Sequence, residues 1–241
     1  AITIKDVNGG ADLSDYSTLY GSKYRPFPIF LKKDSDKSTH KTNGDLTKWK
    51  TLYLLRKAYY RSENIIKSLE SFDNKMPEIN KNQVRFDLIT ADGGFNWLDE
   101  NNQEQEAFVL ILGEICHALS FQKEGGNFVL KVFDLFTNVS LKFILILQLF
   151  YQDIYITKPL TSRFTNAEKY IVCMNFKFKP DDKDYWTKLI KISSLFKKII
   201  YQTQQSFYLN DFSRHILIPK KITNIVNLVN VTLVSQQIME I

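Results

Sequence analysis

Three charged side chains, far apart in the sequence, have the types and positions that a proton-transfer site needs. Lys131 lies in the apolar run NFVLKVF, where an amine requires a carboxylate partner or a changed affinity for its proton. Asp92 follows the run VRFDLITA and precedes two glycines, which let the backbone turn sharply. Glu168 precedes the run KYIVCMNF and could supply the pairing charge. Together they could form an acid–base site; taken singly, they fit a structural lysine, a helix-capping aspartate and a solvated glutamate.

Other chemistries find little support in the sequence. The three histidines, His40, His117 and His215, fall in a polar loop, an apolar helical stretch and the C-terminal tail, so no Ser–His–Asp order emerges. Cys116 and Cys173 sit in separate apolar runs and form no CxxC pair, and no cluster has the spacing of metal ligands. The GxGxxG and GxxxxGK[ST] loops that bind nucleotides are also absent. We therefore predict no metal and disfavour a nicotinamide-dependent oxidoreductase.

Alternating strand and helix patterns can bring the three charged residues together. Apolar and β-branched runs predict strands, and longer one-sided apolar patterns between them predict helices. The predicted strands are 84–91, 127–133, 154–157 and 169–176, and the predicted helices are 100–119 and 139–150. This order predicts an α/β fold, with a parallel sheet covered by helices on both faces and an antiparallel last strand at the sheet end. Ligands bind such sheets at the carboxyl ends of the strands.

The flanking regions are less regular. The pattern over 46–72 predicts an amphipathic helix, and Gly125-Gly126 predicts a turn before the second strand. Residues 1–180 form the predicted sheet domain. Residues 181–241 are interpreted as a C-terminal appendage packed on that domain, with a tethered interaction segment as the alternative.

The amino-acid composition indicates which class of protein the chain belongs to and which kinds of partner it favours. The 241 residues are 44% hydrophobic and 24% charged, which is ordinary for a folded protein. A net charge of +6 favours a polyanionic partner. The most apolar run, 143–150, is far shorter than the roughly 20 residues of a membrane span, so no membrane association is expected. The sparse cysteines favour a reducing, intracellular setting.

Four ordered segments resemble a known family, the FtsJ-type RNA 2′-O-methyltransferases. They are ADGGF (91–95), ENNQE (100–104), GGNFVLKVFDLFT (125–137) and KPLTSRFTNAEKYIVC (158–173). The resemblance is greatest to the branch of eukaryotes and large DNA viruses that methylates the first transcribed nucleotide of capped mRNA. It implies a Rossmann-like methyltransferase sheet, S-adenosylmethionine as cofactor and capped RNA as partner. Location would be nuclear for a cellular protein, and cytoplasmic or in the virion for a viral one.

The resemblance also implies roles for individual residues. Lys131 would help to deprotonate the ribose 2′-hydroxyl for in-line attack on the methyl group of the cofactor, with Asp92 and Glu168 orienting and tuning it. Asp45 and Asp92 would contact the cofactor. The residues implied in binding the cap, the first nucleotide or the RNA path are Glu100, Ser162, Arg163 and Asn166. Each also fits an ordinary turn, cap or loop role.

One part of the family pattern has no counterpart in the sequence. The glycine-rich cofactor loop, which follows the central strand, and the first lysine of the catalytic set are not found. Residues 2–4 resemble the segment after that loop, so without the central strand two strands are expected to have unpaired edges in the middle of the sheet. Either a second chain or a segment outside this sequence completes the sheet, or the fold is rebuilt. The rival function is a catalytically inactive Rossmann-like RNA-binding or scaffold subunit.

Overall fold

The computed structural model describes residues 2–5, 27–30, 46–60, 85–94, 98–159, 162–163, 165–203 and 216–239. Within these ranges the chain forms one six-stranded sheet. The strands are β1 (Ile2–Lys5), β2 (Phe27–Phe30), β3 (Phe86–Asp92), β4 (Gln122–Val132), β5 (Tyr151–Thr157) and β6 (Lys169–Phe176).

The strand order is β2-β1-β3-β4-β6-β5, and the first four of these strands run parallel to one another. β6 is antiparallel to both β4 and β5, so the predicted antiparallel last strand is confirmed. Its predicted position at the sheet end is wrong. β6 pairs along both edges, and β5 is the border strand instead.

Strand β1 pairs directly with β3, with Ile2 opposite Ile89 and Lys5 opposite Asp92. Its other edge pairs with β2. The prediction of unpaired edges in the middle of the sheet is therefore wrong for the described strands. Because β1 forms backbone ladders on both sides, neither a second chain nor a further segment lies between β1 and β3.

Seven helical segments are described. They are α1 (Trp49–Tyr60), a 3₁₀ turn (Glu100–Asn102), α2 (Gln103–Glu106), α3 (Phe108–Phe121), α4 (Asn138–Phe150), α5 (Lys183–Thr203) and α6 (Lys220–Met239). The predicted amphipathic helix over 46–72 is observed as α1, and its part from residue 61 onward lies outside the described residues. No helix in the described ranges is long and apolar enough to cross a membrane.

The two faces of the sheet differ in burial. In β4, Phe128, Leu130 and Val132 are buried, whereas Val129 and Lys131 are half-buried, as expected when successive side chains point to opposite faces. One face of β4 is therefore fully buried and the other only partly. Lys131 lies on the face that reaches solvent.

Helices α3 and α4 contact the sheet, and α1 and α5 pack against α3. The connection between β1 and β2 lies outside the described residues. Helix α5, beyond the predicted boundary at residue 180, adds Trp186 and Phe196 to the main core. The boundary itself remains a prediction.

The predicted turn at Gly125-Gly126 is wrong, because both glycines lie inside β4. The pairing with β3 shifts from Phe86↔Gln122 to Leu88↔Asn127, so residues 123–126 form a bulge. Gly125 has φ of 73°, a conformation that favours glycine. The bulge lies at the opposite end of β4 from Lys131.

Candidate active site at the carboxyl ends of β3 and β4

The centre of the candidate site is an ion pair between Lys131 and Asp92. Asp92 ends β3, and Lys131 is the penultimate residue of the parallel neighbour β4, so the two meet at the same edge of the sheet. The Nζ atom of Lys131 lies 2.6 Å from Oδ1 of Asp92. The two side chains are 16% and 41% exposed, respectively. Asp92, rather than Glu168, thus supplies the pairing charge, and a reactant can reach the pair.

The two glycines after Asp92 have different functions. Gly93 donates its backbone N–H to Oε1 of Glu114 at 2.9 Å, and a Cβ at Gly93 would lie only 2.4 Å from that oxygen. Among the described residues, a Cβ at Gly94 would meet Nζ of Lys131 at 3.8 Å. Gly93 therefore allows Glu114 to brace the turn, and Gly94 lies beside the amine.

Glu114 was not identified from the sequence. It is 1% exposed in α3, inside the apolar run FVLILGEICHAL. A carboxylate in such a run must find polar partners, because burying it without them is costly. The presence of a glutamate inside an apolar helical run was therefore the sequence feature that could have indicated a buried, hydrogen-bonded Glu114.

Glu168 is held beside the ion pair by two donors. The hydroxyl of Tyr170 donates to Oε1 of Glu168, and Nδ2 of Asn166 donates to Oε2 at 3.3 Å. Tyr170 is paired with Lys131 across β4 and β6. Burial raises the pKa of Tyr170, and the nearby carboxylates of Glu168 and Asp92 raise it further. Tyr170, another residue not identified from the sequence, therefore stays protonated and donates to Glu168 from the position opposite Lys131.

A polar cavity of about 430 Å³ opens beside Glu168. Its lining includes three of the residues predicted to bind RNA, which are Ser162, Arg163 and Asn166. Among the described residues, Pro159, Thr165, Glu168 and Tyr170 also line it. The structure thus brings the predicted substrate residues of the 158–173 segment to one cavity wall, next to the charged cluster.

Two predicted residues are not placed in this cluster. Glu100 begins the 3₁₀ turn, which is capped by Asp99 accepting from the Asn101 N–H at 2.9 Å, and the side chain of Glu100 is not among those described. Asp45 lies outside the described residues. Their predicted roles stay predictions.

Glu104, in the ENNQE segment, has a structural role that the sequence did not reveal. Its carboxylate accepts from the backbone N–H groups of Phe136 and Thr137, at 3.1 and 2.9 Å, and from Oγ of Ser140 at 2.6 Å. These groups lie at the N-terminus of α4, where the helix dipole favours negative charge. Glu104 therefore fixes the connection that follows Lys131.

The charges at the site fit the reacting end of S-adenosylmethionine, because the partly exposed Asp92 carboxylate would favour its positively charged sulfonium. No group of three or more potential metal ligands occurs among the described residues.

Sequence comparison identifies the family. Residues 27–176 match the model of the FtsJ-like methyltransferases. The chain belongs to this family. The match includes Asp92, Lys131 and Glu168, and it confirms the resemblance and the Rossmann-like α/β class predicted from the sequence.

Curated relatives share sequence with part of the chain. The human cap-specific mRNA (nucleoside-2′-O-)-methyltransferase 1 is 40% identical over 100 residues, which are 41% of this chain and 12% of the relative. The enzyme of the same description from Dictyostelium discoideum is 38% identical over 117 residues, 47% of this chain and 15% of the relative. The chain thus corresponds to less than a fifth of these relatives' length. A crystal structure of a ribosomal RNA methyltransferase, putative, from Plasmodium falciparum is 16% identical, with a TM-score of 0.37, and covers 74% of this chain and 87% of that one.

Proposed function

We propose that this chain methylates the ribose 2′-hydroxyl of the first transcribed nucleotide of capped RNA, with S-adenosylmethionine as methyl donor. The observation that supports the proposal most strongly is the 2.6 Å Lys131–Asp92 pair, open to a reactant and adjacent to a polar cavity. The cap-specific relatives give the substrate class.

The cavity wall would hold the RNA. Arg163 is exposed, and a guanidinium binds phosphate oxygens through two parallel hydrogen bonds. Asn166 and Ser162 would add hydrogen bonds to sugar or base edges. Since Ser162 Oγ lies 3.4 Å from Oδ1 of Asn166, these two side chains act from one part of the wall.

Lys131 would handle the proton. The amine would take up the proton of the 2′-hydroxyl as that oxygen attacks, while Asp92 holds Nζ in place at 2.6 Å. S-adenosylmethionine supplies an activated methyl group when bound. Glu168, fixed by Tyr170 and Asn166, would orient the ribose from the cavity side.

The test is methyl transfer by the full chain to three RNAs that differ only at the 5′ end. One carries an m7G cap and a free 2′-hydroxyl on its first nucleotide, the second lacks the cap, and the third is capped but already 2′-O-methylated at that nucleotide. We expect radiolabel from S-adenosylmethionine in the first RNA alone. Label in the third RNA would show that another nucleotide is the target. Binding of the first RNA without transfer would favour the inactive RNA-binding or scaffold subunit.

A further inference from the structure

The ammonium group of Lys158 joins the two ends of the cavity wall. Its Nζ atom donates to the carbonyl oxygen of Asn166 at 2.8 Å, to Oδ1 of Asn166 at 2.7 Å and to the carbonyl oxygen of Glu168 at 2.9 Å. A lysine ammonium has three hydrogens, so all its donors are used. Lys158 is therefore occupied inside the protein and is not a free cation for a phosphate.

Lys158 lies at the start of the connection between β5 and β6, so its hydrogen bonds join the two ends of that connection. It directly follows β5, and Glu168 directly precedes β6, so the bonds close the connection that carries Ser162, Arg163 and Asn166. Burial lowers the pKa of Lys158, Lys169 lowers it further, and the carboxylates of Glu168 and Asp134 oppose the change.

A second donor reaches the same carbonyl from the C-terminal helix. Nε2 of Gln237 in α6 donates to the carbonyl oxygen of Asn166 at 2.8 Å. Helix α6 is held nearby because Val226 is buried and Nδ2 of Asn230 donates to the carbonyl oxygen of Leu135 at 2.9 Å. This helix lies outside the segment that matches the family, which ends at residue 176.

We propose that Lys158 and Gln237 are positioning residues that together hold Asn166 and Glu168 in the geometry that binds the RNA. Helix α6 is thereby part of the RNA site, although it lies beyond the family-matched segment. We call the hydrogen bonds from Lys158 and Gln237 to the carbonyl oxygen of Asn166 the clamp. The identity of the ligand as capped RNA rests on the function proposed above, whereas the clamp itself does not depend on that function.

The first test compares Lys158→Met and Gln237→Leu with two matched controls in the full chain. Lys177→Met removes an exposed lysine whose Nζ also donates to a carbonyl, that of Gln148 at 2.7 Å, on the far side of the sheet domain. Gln236→Leu alters the residue next to Gln237. We expect kcat/KM for capped RNA to fall roughly tenfold or more in Lys158→Met and roughly threefold in Gln237→Leu, mostly through KM. The controls should stay within about twofold of wild type, since each lacks the clamp's contacts.

Chemical rescue distinguishes the loss of the Lys158 ammonium group from a general loss of side-chain packing at that position. Lys158→Cys is alkylated with 2-bromoethylamine, which rebuilds an ammonium of nearly the original length. The native Cys116 and Cys173 are buried, and burial raises the pKa of both thiols, so they should react slowly. Recovery of most of the lost kcat/KM supports the clamp. Failure of the fully alkylated, folded protein to recover contradicts it.

Hydrogen exchange tests the clamp without any assumption about the reaction. Amides of residues 159–167 should exchange faster in Lys158→Met and Gln237→Leu than in wild type, while peptides from β4 are unchanged. If wild type methylates no capped RNA but exchange behaves this way, the proposed function fails and the clamp stands. If exchange in both variants equals that of Lys177→Met and Gln236→Leu, the clamp is wrong.

Discussion

Two lysine–aspartate pairs lie at the same end of the β4–β6 ladder, on opposite faces of the sheet. Lys131 of β4 pairs with Asp92, and Lys169 of β6 pairs with Asp134, each with an N–O distance of 2.6 Å. In the ladder, Lys131 is opposite Tyr170 and Lys169 is opposite Val132. The local chemistry of the two pairs is therefore the same.

The pairs differ in access. The side chain of Lys131 is 16% exposed and that of Lys169 only 1%, and Nζ of Lys169 also donates to the carbonyl oxygen of Ala167 at 3.2 Å. A buried amine with two acceptors contributes mainly to the folded structure, whereas a partly exposed amine can meet a substrate. The comparison shows that the environment of an ion pair, rather than its length, separates a candidate catalytic pair from a structural one.

The largest effect is expected from Asp92→Asn on the open face. The amide can no longer hold the Lys131 amine as a charged partner, so kcat for methyl transfer should fall by about 10²- to 10³-fold. Asp87→Asn is the matched control, because Asp87 lies in the same strand and pairs with Lys123 at 2.6 Å, with both side chains largely exposed. Equal rates for the two variants would remove Asp92 from the site.

The buried pair should govern stability. Lys169→Met removes the partner of Asp134, which is one-third exposed and can be partly rehydrated, so we expect the free energy of unfolding to fall by about 2–3 kcal/mol. Lys188→Met, which breaks the surface pair with Asp184, should cost less than about 1 kcal/mol. Urea unfolding at pH 7 measures both. Equal losses would mean that burial does not distinguish these pairs.

A buried histidine extends the comparison to pH. His117 is 1% exposed, and burial lowers its pKa to about 4. In the unfolded chain His117 has a pKa of about 6.5, so as the pH falls the unfolded state binds the proton before the folded state does. The contribution of His117 to the free energy of unfolding is therefore fully present above about pH 6.5 and is lost as the pH falls toward 4. Between pH 7 and pH 5 the loss should be about 2 kcal/mol. Urea unfolding of His117→Gln should lack this component; an unchanged pH slope would show that His117 does not cause it.

The smallest effect is expected at Tyr170. Tyr170→Phe removes one donor to Glu168 but leaves Asn166, so kcat should fall roughly threefold to tenfold. Because the pKa of Tyr170 is raised, the tyrosine does not ionise near neutral pH, and the shape of the pH–rate profile from pH 6 to 9 should not change. Tyr155→Phe, on the exposed border strand, is the control. A profile altered only in Tyr170→Phe would mean that the hydroxyl itself titrates in the reaction.

Sequence alone predicted the strands that carry the charged cluster, because β3, β4 and β6 contain apolar and β-branched runs, and Asp92, Lys131 and Glu168 lie at or next to the ends of those strands. It did not predict the place of β6 between β4 and β5, since strand order depends on contacts distant in sequence.

The supporting residues were missed for the same reason. Glu114, Tyr170 and Lys158 acquire their roles only from partners on other elements or across a loop. A polar or charged residue among apolar neighbours indicates that its side chain has a polar partner in the folded protein. The sequence does not indicate which residue that partner is.

The most direct test of the account is single-turnover methyl transfer by Lys131→Met, with capped RNA and S-adenosylmethionine saturating and urea unfolding measured on the same preparation. We expect the rate to fall at least about a hundredfold while the free energy of unfolding changes by less than about 1 kcal/mol. A folded Lys131→Met protein that methylates capped RNA at the wild-type rate would contradict the central claim that this amine takes part in the reaction.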